Sequence, residues 1–282
     1  MMQAVAFLTI LLSLLVGDEA KLRVAVVGPT GAAEAALRQA LAQDARVTMI
    51  DPSQQQPALV GFGYDNSISM TTEQARRLGA AIGCDFFIIG KVEVVARSES
   101  ERESYHEALI AIMLVDSRTG ALAAFDLIGE RATTDETALA DAIKTLTIRA
   151  PAYVDRMREF YDRHNAISRR QDSGQGYIED IPEADSPRAA GFKPPEFLNR
   201  VKPEYTEQAD RCDVSATVEA VAVFRADGQV GEVTITRWAG FGLDEATEQA
   251  IRQLKFNPAT RDGQPISMRA SIRYNFRRVA PP

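Results

Sequence analysis

VSATVEAVAVFRADGQVGEVTITRW, residues 214–238, reads as two strands and the turn between them. Val214, Ala216, Val218, Ala220, Ala222 and Phe224 fall on every second position, the period of a strand with one buried face. Ala226, Asp227 and Gly228 follow, and an Asp-Gly pair between β-rich runs is a strong hairpin signal. Downstream, Leu243, Ala246, Thr247, Ala250, Ile251 and Leu254 recur at helical spacing, with Asp244 and Glu245 in the first turn where they favour the helix dipole. Past Pro258 and the turn at Asp262-Gly263, residues 266–276 alternate again. Met268, Ala270, Ile272, Tyr274 and Phe276 point inward and Ser267, Arg269, Ser271, Arg273 and Asn275 outward. The expected order is strand, strand, helix, strand.

Upstream, residues 168–195 are polar and charged, hold Gly174, Gly176, Pro182, Pro187, Pro194 and Pro195, and show no sustained period. This reads as a linker. At full extension it spans roughly 90 to 100 Å, enough to hold the C-terminal part well away from what precedes it. Before the linker, residues 22–27 (LRVAVV), closed by Gly28, Pro29 and Gly31, predict a buried strand and turn. A helix over 32–42, a strand over 46–50 and a second helix from Thr72, capped by Thr71 or Thr72 and ended by Gly83, follow. Residues 86–96 and 105–115 predict two long strands joined by the polar run RSESERES, and 121–128 a third. From Asp135 a helical pattern runs to about Ala166, with Pro151 expected to break or kink it.

The first residues, MMQAVAFLTILLSLLVG, carry an apolar run over 4–16 interrupted only by Thr9 and Ser13. A helix needs about 20 apolar residues to span a bilayer, so this run suits a secretory signal cleaved after Gly17 or Ala20, or else a short anchor. No Lys or Arg precedes it and no cysteine stands near its end. Either way the rest of the chain is expected outside the cytoplasm. The organisation is therefore α+β: 1–20 a signal peptide or short anchor, 21–167 an α/β domain with a mixed sheet, 168–195 a linker, and 196–282 a domain with a three-stranded antiparallel sheet packed by helices.

Length and composition agree. A chain of 282 residues with 45% hydrophobic and 25% charged residues suits two globular domains. Its net charge of -7 excludes the uniformly basic surface of non-specific nucleic-acid binding. Residues 1–190 carry 19 Lys and Arg against 27 Asp and Glu, a net of -8, whereas 191–282 carry 13 against 12, a net of +1. Arg269, Arg273, Arg277 and Arg278 make the end of the chain a basic strip.

Chemistry-bearing motifs are scarce. The Gly28-Pro-Thr-Gly31 turn lacks phosphate-loop spacing and the Gly-Lys-Ser/Thr ending. Cys84 and Cys212 are far apart, and His106 and His164 stand at no short Cys/His spacing, so neither a metal nor a cofactor is expected. His106 and Glu107 are adjacent in a strand and face opposite ways. No Gly-x-Ser-x-Gly elbow or His-Glu-x-x-His helix occurs, and no enzyme is expected. Trp238 beside Gly240 and Gly242 reads as a core lid or a partner contact.

Lys202-Pro203-Glu204-Tyr205 with Ala209, VAVFRADGQVGEVTI at 221–235, Gly242-Leu243-Asp244 with Ala246 and Ala250, LKFNPATRDGQPI at 254–266 and RYNF at 273–276 together resemble the C-terminal domain of the TonB family. The resemblance spans about 191–278. It implies a three-stranded antiparallel sheet whose last strand is an edge, and a partner, an outer-membrane receptor or another envelope protein, bound by pairing an extended segment with that edge. It also implies proton-motive energy drawn from inner-membrane motor proteins. Thr206 stands where the family usually has proline and Ala216 where glycine is common; the long Pro-rich spacer is missing, and the apolar N-terminal run carries no histidine. LGAAIGCDFFIIGKV at 78–92 and LVDSRTGAL at 114–122 resemble the periplasmic α/β domain of curli-secretion proteins and penicillin-binding-protein activators.

An edge strand offers unpaired N–H and C=O groups to an incoming strand, and outward side chains select it. The candidate partner-binding residues are Arg269, Ser271, Arg273, Asn275 and Arg277, with Lys202, Pro203 and Tyr205 as a second contact placed by the family motif. The plainer alternative is that the arginines only guard the edge against aggregation.

Overall fold

The computed structural model describes residues 20–100, 103–168, 178–182, 186 and 189–278. The expected signal or anchor at 1–20 lies outside these residues except for Ala20. Among them no helix is long and apolar enough to cross a membrane.

The first half contains β1 (Leu22–Val26), α1 (Ala32–Ala42), β2 (Val47–Met49), α2 (Pro52–Phe62), β3 (Met70–Thr71), α3 (Thr72–Ile82), β4 (Phe86–Ser100), β5 (Glu103–Asp116), β6 (Leu122–Ala132) and α4 (Asp135–Ser168). Its sheet has the order β2-β1-β4-β5-β6. The β1 pairings are parallel and β4-β5-β6 is an antiparallel meander, so the sheet is mixed as expected. Thr71 caps α3 in a reciprocal box with Gln74, and Gly83 ends it in the left-handed region that glycine enters without steric cost.

Two local readings change. The polar run after residue 96 lengthens the hairpin: β4 extends into it to Ser100 and β5 begins at Glu103, with Arg97 opposite Tyr105 and Ser98 opposite Ser104. Helix α4 also runs unbroken through Pro151. Leu146, Ala150, Tyr153, Val154 and Met157 bury one stripe across that position, which offsets the missing hydrogen bond.

The second half contains β7 (Glu179–Asp180), β8 (Phe192–Lys193), β9 (Glu196–Phe197), α5 (Glu207–Arg211), β10 (Ala216–Phe224), β11 (Val230–Trp238), α6 (Leu243–Arg252), β12 (Phe256–Asn257), β13 (Ala259–Arg261), β14 (Gln264–Ile266) and β15 (Met268–Phe276). The antiparallel sheet β11-β10-β15 is the expected one, with buried Ala220, Ala222, Phe224, Ile251, Phe256 and Met268 on its inner side. Two additions widen it: β3 pairs with the end of β11, and β7 pairs in parallel with the start of β15. Both β7 and β8 fall inside the stretch read as a linker.

The halves are not held apart. One face of the first sheet, with Phe86, Ile88, Ile110, Ile112 and Leu114, packs on α1 and α4. The other face, with Phe87, Ile89, Ala111, Met113 and Val115, packs on α3 and also on Ala209, Val218, Trp238, Phe241, Leu243 and Phe276 of the second half. One continuous core replaces the separation that the linker's reach allows, because a sheet apolar on both faces needs a layer on each.

Candidate partner-binding edge

Strand β15 is bonded to β10 along its whole length, from Met268 opposite Phe224 to Phe276 opposite Ala216. On its other side only Met268 and Arg269 have strand partners among the described residues, so 270–276 form the free edge. The alternation is as expected: Met268 and Phe276 are buried, whereas Arg269, Ser271, Arg273 and Asn275 are exposed.

The outward side chains are organised across strands. Glu219 on β10 stands opposite Arg237 on β11 and Arg273 on β15. Its Oε1 lies 2.8 Å from a terminal guanidinium nitrogen of Arg273 and 3.6 Å from Nε of Arg237. Two cations share one carboxylate, which leaves the row net positive. The Thr217 hydroxyl donates to the Asn275 side-chain oxygen at 2.8 Å. Arg273, Asn275, Arg237 and Glu219, with Ser67 and Ser69 of the first half, line a cleft of 590 Å³. Arg269 sits at the other end of β15, 3.2 Å from Asp180. Arg277 is exposed and, among the described residues, forms no ion pair.

The segment that carries Lys202, Pro203 and Tyr205 is tied to the opposite face of the same strand at the residue before it, where the hydroxyl of inward-facing Tyr274 donates to the Val201 carbonyl at 3.1 Å. Lys202 is exposed, but the Tyr205 hydroxyl is 2.8 Å from the Val214 carbonyl and 3.2 Å from that of Ala209. Tyr205 therefore pins the turn around α5 and shapes the surface on which Lys202 and Pro203 sit. The Thr206 departure also has a structural reason: its hydroxyl caps α5 by accepting from Ala209 N at 3.1 Å and donates to the Phe241 carbonyl at 2.5 Å.

Sequence reasoning missed a buried ionic node where the halves meet. Glu107, 1% exposed, binds Arg97 of β4 at 2.5 Å, Arg211 of α5 at 2.9 Å and Arg131 of β6 at 3.3 Å. Burial pushes its carboxyl up, but the Arg211 and Arg131 bonds and the positive charge around it outweigh that and hold it below the usual range. His106 faces away and pairs with Asp135, so the two neighbours serve different contacts as their strand geometry predicts. Asp244, in the first turn of α6, accepts from Ala239 N at 2.9 Å and Gly240 N at 2.8 Å, while burial pushes its carboxyl up to about 7. Cys84 and Cys212 are free thiols, and among the described residues no group of three or more His, Cys, Asp or Glu side chains is arranged to hold a metal.

Among the described residues, the helix-backed antiparallel sheet ends on a strand that is unpaired over 270–276 and carries a polar outward row, an arrangement suited to protein interaction. Residues 201–277 match the family described as Gram-negative bacterial TonB protein C-terminal. A solution structure of the Pseudomonas aeruginosa TonB C-terminal domain is 15% identical, with 38% of this chain and 99% of that chain covered at a TM-score of 0.28. Two further solved structures are similar to parts of the chain. The C-terminal domain of LpoB from Salmonella enterica is 18% identical over 42% of this chain and 87% of that chain, TM-score 0.28. A lipoprotein from Neisseria meningitidis is 17% identical over 49% and 99%, TM-score 0.29. No curated protein matches the chain.

Proposed function

We propose that this is a periplasmic, non-enzymatic binding protein that takes an extended segment of an outer-membrane receptor, or of another envelope protein, as an added strand on β15. The observation that carries the reading is the edge at 270–276, which has no strand partner among the described residues. Main-chain bonds along it supply affinity, and the alternating side chains, with Arg273 and Asn275 on one face and Lys202 and Pro203 beside the other, supply selection.

A second reading has its own support. The domain is docked on the first half through a shared core, which favours a fixed docking module of an envelope assembly or regulatory factor over a domain swung on a spacer. Transduction of proton-motive energy, through inner-membrane motor proteins, enters only if residues 1–20 hold the chain in the inner membrane. Intact-mass analysis and membrane partition of the protein from the envelope decide this point: a full-length membrane-held chain keeps it, and a soluble chain shortened near residues 17–20 removes it.

The binding reading is tested by placing a photo-crosslinking residue at Ser271, on the edge, and at exposed Glu73 on α3 as a control. Crosslinking from Ser271 alone to an extended segment of an outer-membrane protein is the expected result. Equal labelling from both positions, or none from Ser271, would overturn it.

A further inference from the structure

We infer that the chain carries its own occupant for the partner edge: β7, an acidic strand that seats on the start of β15 and must be displaced by a partner that pairs along the whole strand. This rests on the strand-addition reading and adds its regulation. Glu179 and Asp180 run parallel to Met268 and Arg269, and Glu179 N donates to the Ser267 carbonyl at 3.1 Å. The Glu179 carboxylate straddles Arg261 at 2.5 to 3.3 Å, and Asp180 meets Arg269 at 3.2 Å. The start of the edge is thus a seat with two guanidiniums, and what sits in it is an extended segment with two carboxylates.

The seat is built to be given up. Only two ladder positions are paired, the Asp180 and Arg269 side chains are 76% and 46% exposed, and the next residue, Ile181, is 51% exposed. The exposed Asp180–Arg269 pair adds little, so the half-buried Glu179–Arg261 pair and local concentration do most of the holding. The chain is fixed again at Gly191, whose carbonyl accepts from Asp262 N at 2.8 Å, so β7 is tethered within about ten residues and is present at an effective concentration on the order of millimolar. A partner strand of up to seven residues fits on 270–276 beside β7. A longer one must carry acidic side chains of its own for Arg261 and Arg269.

The test uses no receptor, so its failure is separable from failure of the binding reading. The probe is a labelled synthetic peptide, GYIEDIPEA, residues 176–184 of this chain, added to the full chain and to the full chain with Glu179→Ala and Asp180→Ala. The emptied variant should bind the peptide at least about tenfold more tightly than the parent, with amide shifts at Met268 and Arg269, and the peptide with lysine at both acidic positions should not bind. Equal binding to both chains, binding to neither, or binding of the lysine peptide would overturn the inference. Thermal melting of the variant checks that it is folded.

Discussion

Trp238 on β11 donates its indole N–H to the carbonyl oxygen of Gly120 at 2.9 Å, joining the end of the second half's central hairpin to the turn between β5 and β6. Both groups are buried, and the Ser69 hydroxyl donates to the Trp238 carbonyl at 2.8 Å. The residue that sequence alone leaves open between core lid and partner contact is a clasp between the halves. Replacing Trp238 with Phe leaves the Gly120 carbonyl unpaired and a void beside it, and should cost about 2 kcal/mol. Chemical denaturation measures this. As the single tryptophan of the chain, Trp238 should also emit as a buried indole and shift to the red when the halves separate.

Glu107 makes the same junction sensitive to acid. Its carboxyl is held below the ordinary value of 4.5, so its contribution is complete above that value and is lost as pH falls through the lowered one. Stability should fall as the pH drops below 4.5, and Arg211→Ala should flatten that slope. Glu107→Gln removes the buried negative charge that three guanidiniums share and should cost about 3 kcal/mol. Urea titrations at a series of pH values test both.

Asp244 acts in the opposite sense. Its carboxyl is raised from 3.8 to about 7, so the folded state keeps a proton that the unfolded chain releases. That contribution is complete below 3.8 and is lost as pH rises through about 7. Asp244→Asn should remove this slope, so that the loss of stability between pH 3.8 and about 7 is smaller in the variant than in the parent, which calorimetry across pH would show.

Arg273→Glu should weaken binding of the partner segment about tenfold while changing fold stability by no more than about 1 kcal/mol, because Arg273 is 66% exposed. Fluorescence anisotropy against the crosslinked segment reads the first quantity and melting the second. Unchanged affinity would assign the arginine row to guarding the edge.

Thr206→Pro restores the residue usual in the TonB family. The backbone at 206, with φ -70° and ψ 157°, already suits proline, so the change removes only the α5 cap and the bond to Phe241. Loss of about 1 to 2 kcal/mol in denaturation is expected.

Most strands and the last domain are legible because their periods are clean: Asp227-Gly228 sets the hairpin, and the alternation through 268–276 sets which side chains face out. Helix α2 is not, since Pro57 sits within it and its apolar residues make no stripe; its start is nevertheless written in Asp51, which caps Ser53 N, and Pro52 in the first turn. The docking of the halves has a signal too. Residues 108–115, ALIAIMLV, run apolar without alternation, which means cover on both faces, and the second half supplies part of it. The ionic node and the β7 seat have no local pattern, because Glu107 with Arg211 and Glu179 with Arg261 meet across more than eighty residues.

The shared core also sets an order of events during synthesis. The cluster on α1 and α4 is complete once residue 161 has emerged, so that side of the first sheet can close while the rest of the chain is still being made. Its other side waits for Ala209, Val218, Trp238, Phe241 and finally Phe276, near the last described residue. Until then Phe87, Ile89 and Met113 face solvent beyond the cover of α3, and a nascent or prematurely ended chain exposes an adhesive apolar face. Cutting the protein at its apparent linker recreates that state, so the two halves made separately should aggregate when made alone and recover solubility when made together.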